Sequence, residues 1–376
     1  MKSQLLPEGF RDSLPDMAGK EYLISSSFLN LMKKNGYLLI NPPLLEFERS
    51  LFFLTPEKDN IDSFRLLDPV SQKMMGIRPD ITLQVARLAC GSLNESPRPL
   101  RLCYSGEILK AYNNGLNLSR QITQIGSEII GIGDNFCEKE LIDLIIEILK
   151  KLKIKKFFIN FTMPTLIQSL SKDFNLTRDE LDFVKEKYQN KNHKGIEKIS
   201  KNLEEISKEL LSIVGLVEAN IKKLKKINFP KLTQIEINNF VKVIDKIRKK
   251  FPNLNLYMDP LEIDGSDYHT GLAFKVFSEN LKELFTGGNY KVFKENCIGF
   301  SGYVENLVKE SLLRVDNMKK IFVNEDLSDN LKKNLQKKGF IVIKAIKKLN
   351  INQIKRNARI HRCEFYLDEN KILSTD

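Results

Sequence analysis

The sequence predicts an α+β fold: an antiparallel sheet flanked by helices, a helical insertion within it, and a small α/β appendage at the C-terminus. Strand-like runs with alternating apolar residues occupy 64–80 and 99–131 and return at 255–277, the period-two pattern of half-buried strands. Between them, residues 171–251 change to lysine-rich sequence with apolar positions three and four apart, the period of amphipathic helices. Residues 319–346 then run strand, helix, strand, which reads as a β-α-β unit.

In chain order, Lys20 to Gly36 reads as a helix closed by its glycine. YLLI follows, and the Pro42-Pro43 pair forces extended chain before LLEFERSLFF. A helix feeding such a segment makes Lys20 to Phe53 a candidate dimer-forming element. FRLLDPVSQKMMGIRPD gives two short strands around a DPVSQ turn, and PLRLCYSGEIL and RQITQIGSEIIG give two more. Leu141, Ile145, Ile148 and Leu152 repeat at helical spacing. In the insertion, Thr177 to Glu180 is a capping box; Ile199, Leu203, Ile206, Leu210 and Ile213 form one apolar stripe and Phe240, Ile244, Ile247 and Phe251 another. The expected domains are therefore 1–170 with 252–316, the helical insertion 171–251, and the appendage 317–376, whose tail is too short to complete a sizeable domain.

The 376 residues are 42% hydrophobic and 29% charged, an ordinary globular composition for two or three domains. No apolar run approaches the roughly 18 residues of a membrane span, and the N-terminus carries no signal-peptide pattern, so a cytoplasmic protein without membrane contact is expected. Five scattered cysteines lack metal-ligand or disulfide spacing, which predicts reduced thiols and no metal. Net charge is +12, and residues 171–250 hold 19 Lys and Arg against 12 Asp and Glu. Nucleic acid is one reading of that excess; the other is a solvated lysine-rich face, since aromatic residues do not interleave with the charges.

LLPEGFRDSLP, GYLLINPPLLE, IRPDIT, the 104–131 segment, YHTG and TGGNY occur here in the order found in a histidyl-tRNA synthetase core. The chain resembles that class II family over residues 1 to about 310. It is closer still to the paralogous ATP phosphoribosyltransferase regulatory subunits, whose LLPEGFRD and YHTG patterns recur almost letter for letter. The resemblance implies an amino-acid pocket made of Asp80 and Thr82, Gln124 and Glu128, and Tyr268 with adjacent His269. Carboxylates and hydroxyls of that kind suit free histidine, by accepting from an ammonium and holding the imidazole nitrogens.

Three arginine positions of the synthetase pattern are replaced, and one glycine position as well. Lys110 replaces an arginine, Asp264 stands where a second is expected, and Asn306 where a third clamps the ATP tail, with Tyr303 in place of a glycine. A lysine is a mobile point charge, unlike a planar guanidinium fork, and a carboxylate repels a phosphate. Arg78, Arg87 and Arg120 remain as candidates for residual anion binding. His193, in an exposed Lys-Asn-rich loop, and His361, in the tail, have no metal-ligand partners at useful spacing; Gly287 and Gly288 are read as turn glycines. The resemblance implies a subunit without catalysis of its own or a cofactor, a self-dimer within a hetero-oligomer. Its partner would be the short-form catalytic ATP phosphoribosyltransferase, and free histidine the effector. A divergent histidyl-tRNA synthetase and an RNA-binding pseudo-synthetase are the alternatives, and tRNA recognition is disfavoured by the short appendage.

Overall fold

The computed structural model of the protein describes residues 5–52, 63–112, 119–132, 137–262, 269–313, 319–369 and 371–375. Two compact units are present, residues 1–313 and 314–376, each with hydrophobic clusters of its own.

The first unit opens with α1 (Pro15–Lys34), followed by Gly36 at φ +81°. It starts earlier than the predicted Lys20, because a proline in the first turn forfeits only an N–H that the helix leaves unused. β1 (Leu38–Leu39) and β2 (Leu45–Phe47) flank the Pro42-Pro43 segment, and α2 (Glu48–Leu51) follows. β3 (Arg65–Leu67) and β4 (Met74–Ile77) form the expected hairpin; with β2 they make a three-stranded sheet. Asp68 fixes the hairpin turn by accepting from the Ser71 amide at 3.0 Å.

The main sheet is built from β5 (Leu100–Leu109), β6 (Gln121–Ile130), β7 (Phe157–Thr162), β8 (Gly215–Leu216), β9 (Asn255–Asp259), β10 (His269–Ser278), β11 (Glu283–Val292) and β12 (Glu295–Tyr303), plus β1. Its order is β1-β5-β6-β12-β11-β10-β7-β9-β8. From β5 through β7 every pairing is antiparallel. The margins differ from the predicted antiparallel sheet, since β1 runs parallel to β5 and β9 parallel to β7. A parallel partner needs a long crossover, and the helices between β7 and β9 supply one.

α3 (Thr82–Cys90) precedes β5, α4 (Glu138–Lys151) follows β6, and α10 (Val304–Glu310) closes the unit. Leu141, Ile145 and Ile148 of α4 pack with Phe28 and Leu31 of α1 in the principal core, so the sequence spacing of α4 becomes a buried face. Between β7 and β9 the chain forms α5 (Leu166–Phe174), α6 (Arg178–Gln189), α7 (Lys201–Ser212), α8 (Val217–Leu224) and α9 (Lys231–Lys250). Thr177 and Glu180 form a reciprocal capping box on α6. Ile199 and Ile213 belong to the α7 stripe but lie just outside the helix. Basic residues here pair with acids: Lys191 with Asp259, Lys225 with Asp245 and Lys250 with Asp143.

The second unit contains β13 (Lys319–Val323), α11 (Asp329–Lys337), β14 (Phe340–Lys344), α12 (Ile351–Ile360), β15 (Phe365–Asp368) and β16 (Lys371–Ser374). Its sheet order is β14-β13-β15-β16. The tail expected to be too short therefore completes a four-stranded sheet. Strand alternation gives it two cores: Phe322 packs with Ile354 and Ala358 on one face, Ile321 and Val323 with Leu335 on the other.

Candidate functional site

Asp80 sits in the turn between β4 and α3, where its Oδ1 accepts from the Thr82 amide at 2.6 Å. Gln124, fully buried on β6, donates to Asp80 Oδ2 at 2.6 Å and accepts from the Ile81 amide at 2.9 Å. Both ends of its amide are thus spent on the Asp80 turn, and Gln124 acts as the clip that aims Asp80.

Glu128 lies further along β6, directly opposite Gly299 of β12. A Cβ on Gly299 would overlap the Glu128 carboxylate, so the missing side chain makes room for the acid. The Tyr290 phenol donates to Glu128 Oε2 at 2.8 Å and the Tyr104 phenol to Oε1 at 3.3 Å; Tyr104 also meets the Thr82 hydroxyl at 3.1 Å. Gly126, paired with Tyr104 across β5 and β6, leaves space for that phenol in the same way. Burial pushes the Glu128 carboxyl up to about 8; the Tyr290 hydrogen bond opposes the rise and the nearby Asp80 carboxylate adds to it.

Asp80, Thr82, Glu128 and His269 line one cavity of about 270 Å³, together with Tyr290 and Ser301. Gln124 stands behind it. Among the described lining residues there is no lysine or arginine, so the cavity presents acceptors and hydroxyls and complements a small ligand rich in N–H donors. Tyr268 and Asp264 lie outside the described residues. Gly287 and Gly288 are not turn residues: both are interior to β11. A Cβ on Gly287 would overlap the Gly299 carbonyl, and one on Gly288 would come within 2.7 Å of His269 Cδ2, so the requirement there is close approach.

The positively charged candidates are all engaged within the protein. Arg78 is buried, with Nε donating to the Glu107 carbonyl and Nη1 to the Pro42 carbonyl, both at 2.7 Å. Arg87 pairs with Glu46. Arg120 stacks over the rings of Phe10 and Phe64, with its guanidinium carbon 5.4 and 4.7 Å from their centroids, and its amide donates to the Gly9 carbonyl at 2.8 Å. It pins the Pro7-Glu8-Gly9-Phe10 turn to the sheet. His193 is half-buried with Nδ1 2.8 Å from Glu204 Oε1, where an exposed loop was expected, because α7 carries that acid against it.

Lys110 and Tyr303 are in direct contact. Lys110 donates from Nζ to the Tyr303 hydroxyl at 2.9 Å and lies 4.8 Å from the centre of its ring. Burial pulls the ammonium down, but Tyr303, Asp80 and Glu283 outweigh it and leave Lys110 raised; burial likewise raises the Tyr303 phenol. Asn306 is buried in α10 and donates to the Glu283 carbonyl at 2.9 Å. It is an internal strut that faces the protein interior. Tyr104, Tyr290 and Gly299, which accommodate Glu128, are not among the pocket residues that the resemblance points to.

Residues 9–307 match the histidyl-tRNA synthetase family. The chain is 32% identical to the ATP phosphoribosyltransferase regulatory subunit of Paramagnetospirillum magneticum, covering 76% of each chain. It is 30% identical to the protein of the same description from Rhodospirillum rubrum, covering 91% of this chain and 90% of the relative. The chain belongs to the ATP phosphoribosyltransferase regulatory subunit family. Among solved structures, an ATP phosphoribosyltransferase regulatory subunit/histidyl-tRNA synthetase from Bacillus halodurans superposes with a TM-score of 0.78 at 21% identity, over 95% of this chain and 97% of that one. Histidyl-tRNA synthetase from Nostoc sp. PCC 7120 superposes at 0.77 and 18% identity, over 98% and 92%. These likenesses establish the class II synthetase-like fold, which this regulatory-subunit family shares.

Proposed function

We propose that the chain is a non-catalytic regulatory subunit that associates with the short-form catalytic ATP phosphoribosyltransferase, required for its activity and for feedback control by free histidine of the first step of histidine biosynthesis. The observation that carries this reading is the Lys110–Tyr303 pair. Adenylate formation needs a preorganised guanidinium at the α-phosphate, and one such donor is typically worth about 3–4 kcal/mol of transition-state stabilisation. Here the replacement cation is already held by a phenol, on a side chain that stands where the synthetase pattern has a glycine. Asn306 adds a second lost contact, since its amide is committed to a backbone carbonyl.

The cavity itself is kept. Asp80 and Thr82 can accept from an ammonium group, and Glu128, held by Tyr104 and Tyr290, can meet an imidazole nitrogen, so free histidine is the ligand its donors and acceptors fit. Tyr268 would complete the set. Exposed Leu38, Leu39, Leu44 and Phe47 support a self-dimer through the Lys20 to Phe53 region, and a two-fold dimer offers two equivalent partner surfaces. Control then follows by linkage: the subunit favours the active arrangement of its partner, and histidine favours another by differential affinity, with coupling of roughly 1–3 kcal/mol.

Mixing the purified chain with a short-form catalytic subunit tests this. A discrete larger species by light scattering is expected, with phosphoribosyl transfer stimulated and then suppressed by histidine. Absence of a complex and of any rate change would refute the proposal, as would histidine-dependent exchange of pyrophosphate into ATP at synthetase-like rates.

A further inference from the structure

A second cavity, of about 240 Å³, lies across β10 and β11 from the first, against α4 and α9. Alternate residues of the same strands line the two: Gly288 and Tyr290 face the histidine-like cavity, Asn289 faces the second. Glu138, the first residue of α4, is almost fully buried in its wall. Its Oε1 accepts from Asn289 Nδ2 at 2.9 Å, but its Oε2 has no hydrogen-bond partner. Asn289 Oδ1 and Glu236 Oε2, also in this wall, are buried and unpartnered as well.

Three acceptors without a hydrogen-bond partner around one space carry a desolvation penalty that a donor in the cavity would relieve. The α4 N-terminus softens the burial of the Glu138 charge but leaves Oε2 without a donor. Burial raises the Glu236 carboxyl; hydrogen bonds from Ser169 and Thr165 and the Lys172 charge oppose the rise, and the Asp173 carboxylate adds to it. Phe240, Val243 and Leu272 supply an apolar wall beside the acids. Among the described residues no three metal-ligating side chains converge, which leaves an N–H cation as the complementary charge.

We propose that this cavity is a second ligand site, taking a small organic ammonium whose head group meets Glu138, Glu236 and Asn289 and whose apolar body packs on Phe240 and Val243. The proposal is independent of whether histidine occupies the first cavity. Titration calorimetry of the full chain with benzylammonium and with the neutral isostere benzyl alcohol, in saturating histidine, is the test. Benzylammonium should bind at least tenfold more tightly than the alcohol, lose at least tenfold in both Glu138→Gln and Glu236→Gln, and be unchanged in Glu128→Ala. The two glutamine variants back each other up: if one fails to fold by circular dichroism, the other carries the comparison. No binding at millimolar concentration, equal affinity for amine and alcohol, or binding that survives the glutamine changes but is lost in Glu128→Ala would overturn the proposal and leave the cavity a hydrated gap.

Discussion

Glu128 concentrates the physics of the site in one side chain. Its folded carboxyl titrates near 8 against an ordinary 4.5, so the folded state holds a proton that the unfolded chain releases. Stability from this group is therefore complete below pH ~4.5 and is lost as pH rises towards about 8, by an amount on the order of a few kcal/mol. Glu128→Gln cannot ionise and should remove that slope. Thermal unfolding of both proteins from pH 5 to 9 checks it: the difference in Tm between variant and wild type should grow with pH, and parallel curves would refute a protonated Glu128. Glu305, raised by burial to about 7, is common to both proteins and cancels in the difference. The family resemblance, and not residue type, points to Asp80, Thr82 and Glu128 in the sequence, and the fold places all three around one cavity. Tyr104 and Tyr290 were not visible as partners, because which phenols reach the acid depends on strand register across β5, β6, β12 and β11.

At the scale of elements, local patterns with a fixed period were the readable part. The spacing in α4, the Asp68 turn and the Thr177 cap each involve residues within a few positions of one another, so their physics is local. The tail carried a signal of the same kind that the sequence reading did not use: Asn350 and Gln353 form a capping box on α12. The parallel pairings at the sheet margins had no such local cue. The short strands near the N-terminus lead to a prediction of their own. β1 is an edge strand with both leucines exposed, and Phe47 of β2 is exposed as well; uncovered apolar edges of this kind invite association. Leu39→Asp with Phe47→Asp should convert a dimer to a monomer by sedimentation while circular dichroism stays unchanged. A dimer persisting at micromolar concentration would place the self-contact elsewhere.

For the whole molecule, the hydrophobic clusters of residues 1–313 and of 314–376 do not share members, which is the condition for separate cooperative units. Truncation after Leu313 should leave the principal calorimetric transition within about 4 °C of its position in the full chain. Loss of a cooperative transition in the truncated chain would show that the second unit is needed for the first to fold. The sequence by itself determined the fold class and the strand and helix periods, because composition and period act along the chain; the departures at Lys110, Asp264 and Asn306 are legible only against the family resemblance. Only the tertiary structure decided that Lys110 and Tyr303, far apart in sequence, satisfy each other, that Arg78 and Asn306 are internal struts, and that a glycine opposite Glu128 opens the space its carboxylate fills. Those outcomes depend on strand register and burial, and both are set by contacts between distant segments that no local pattern encodes.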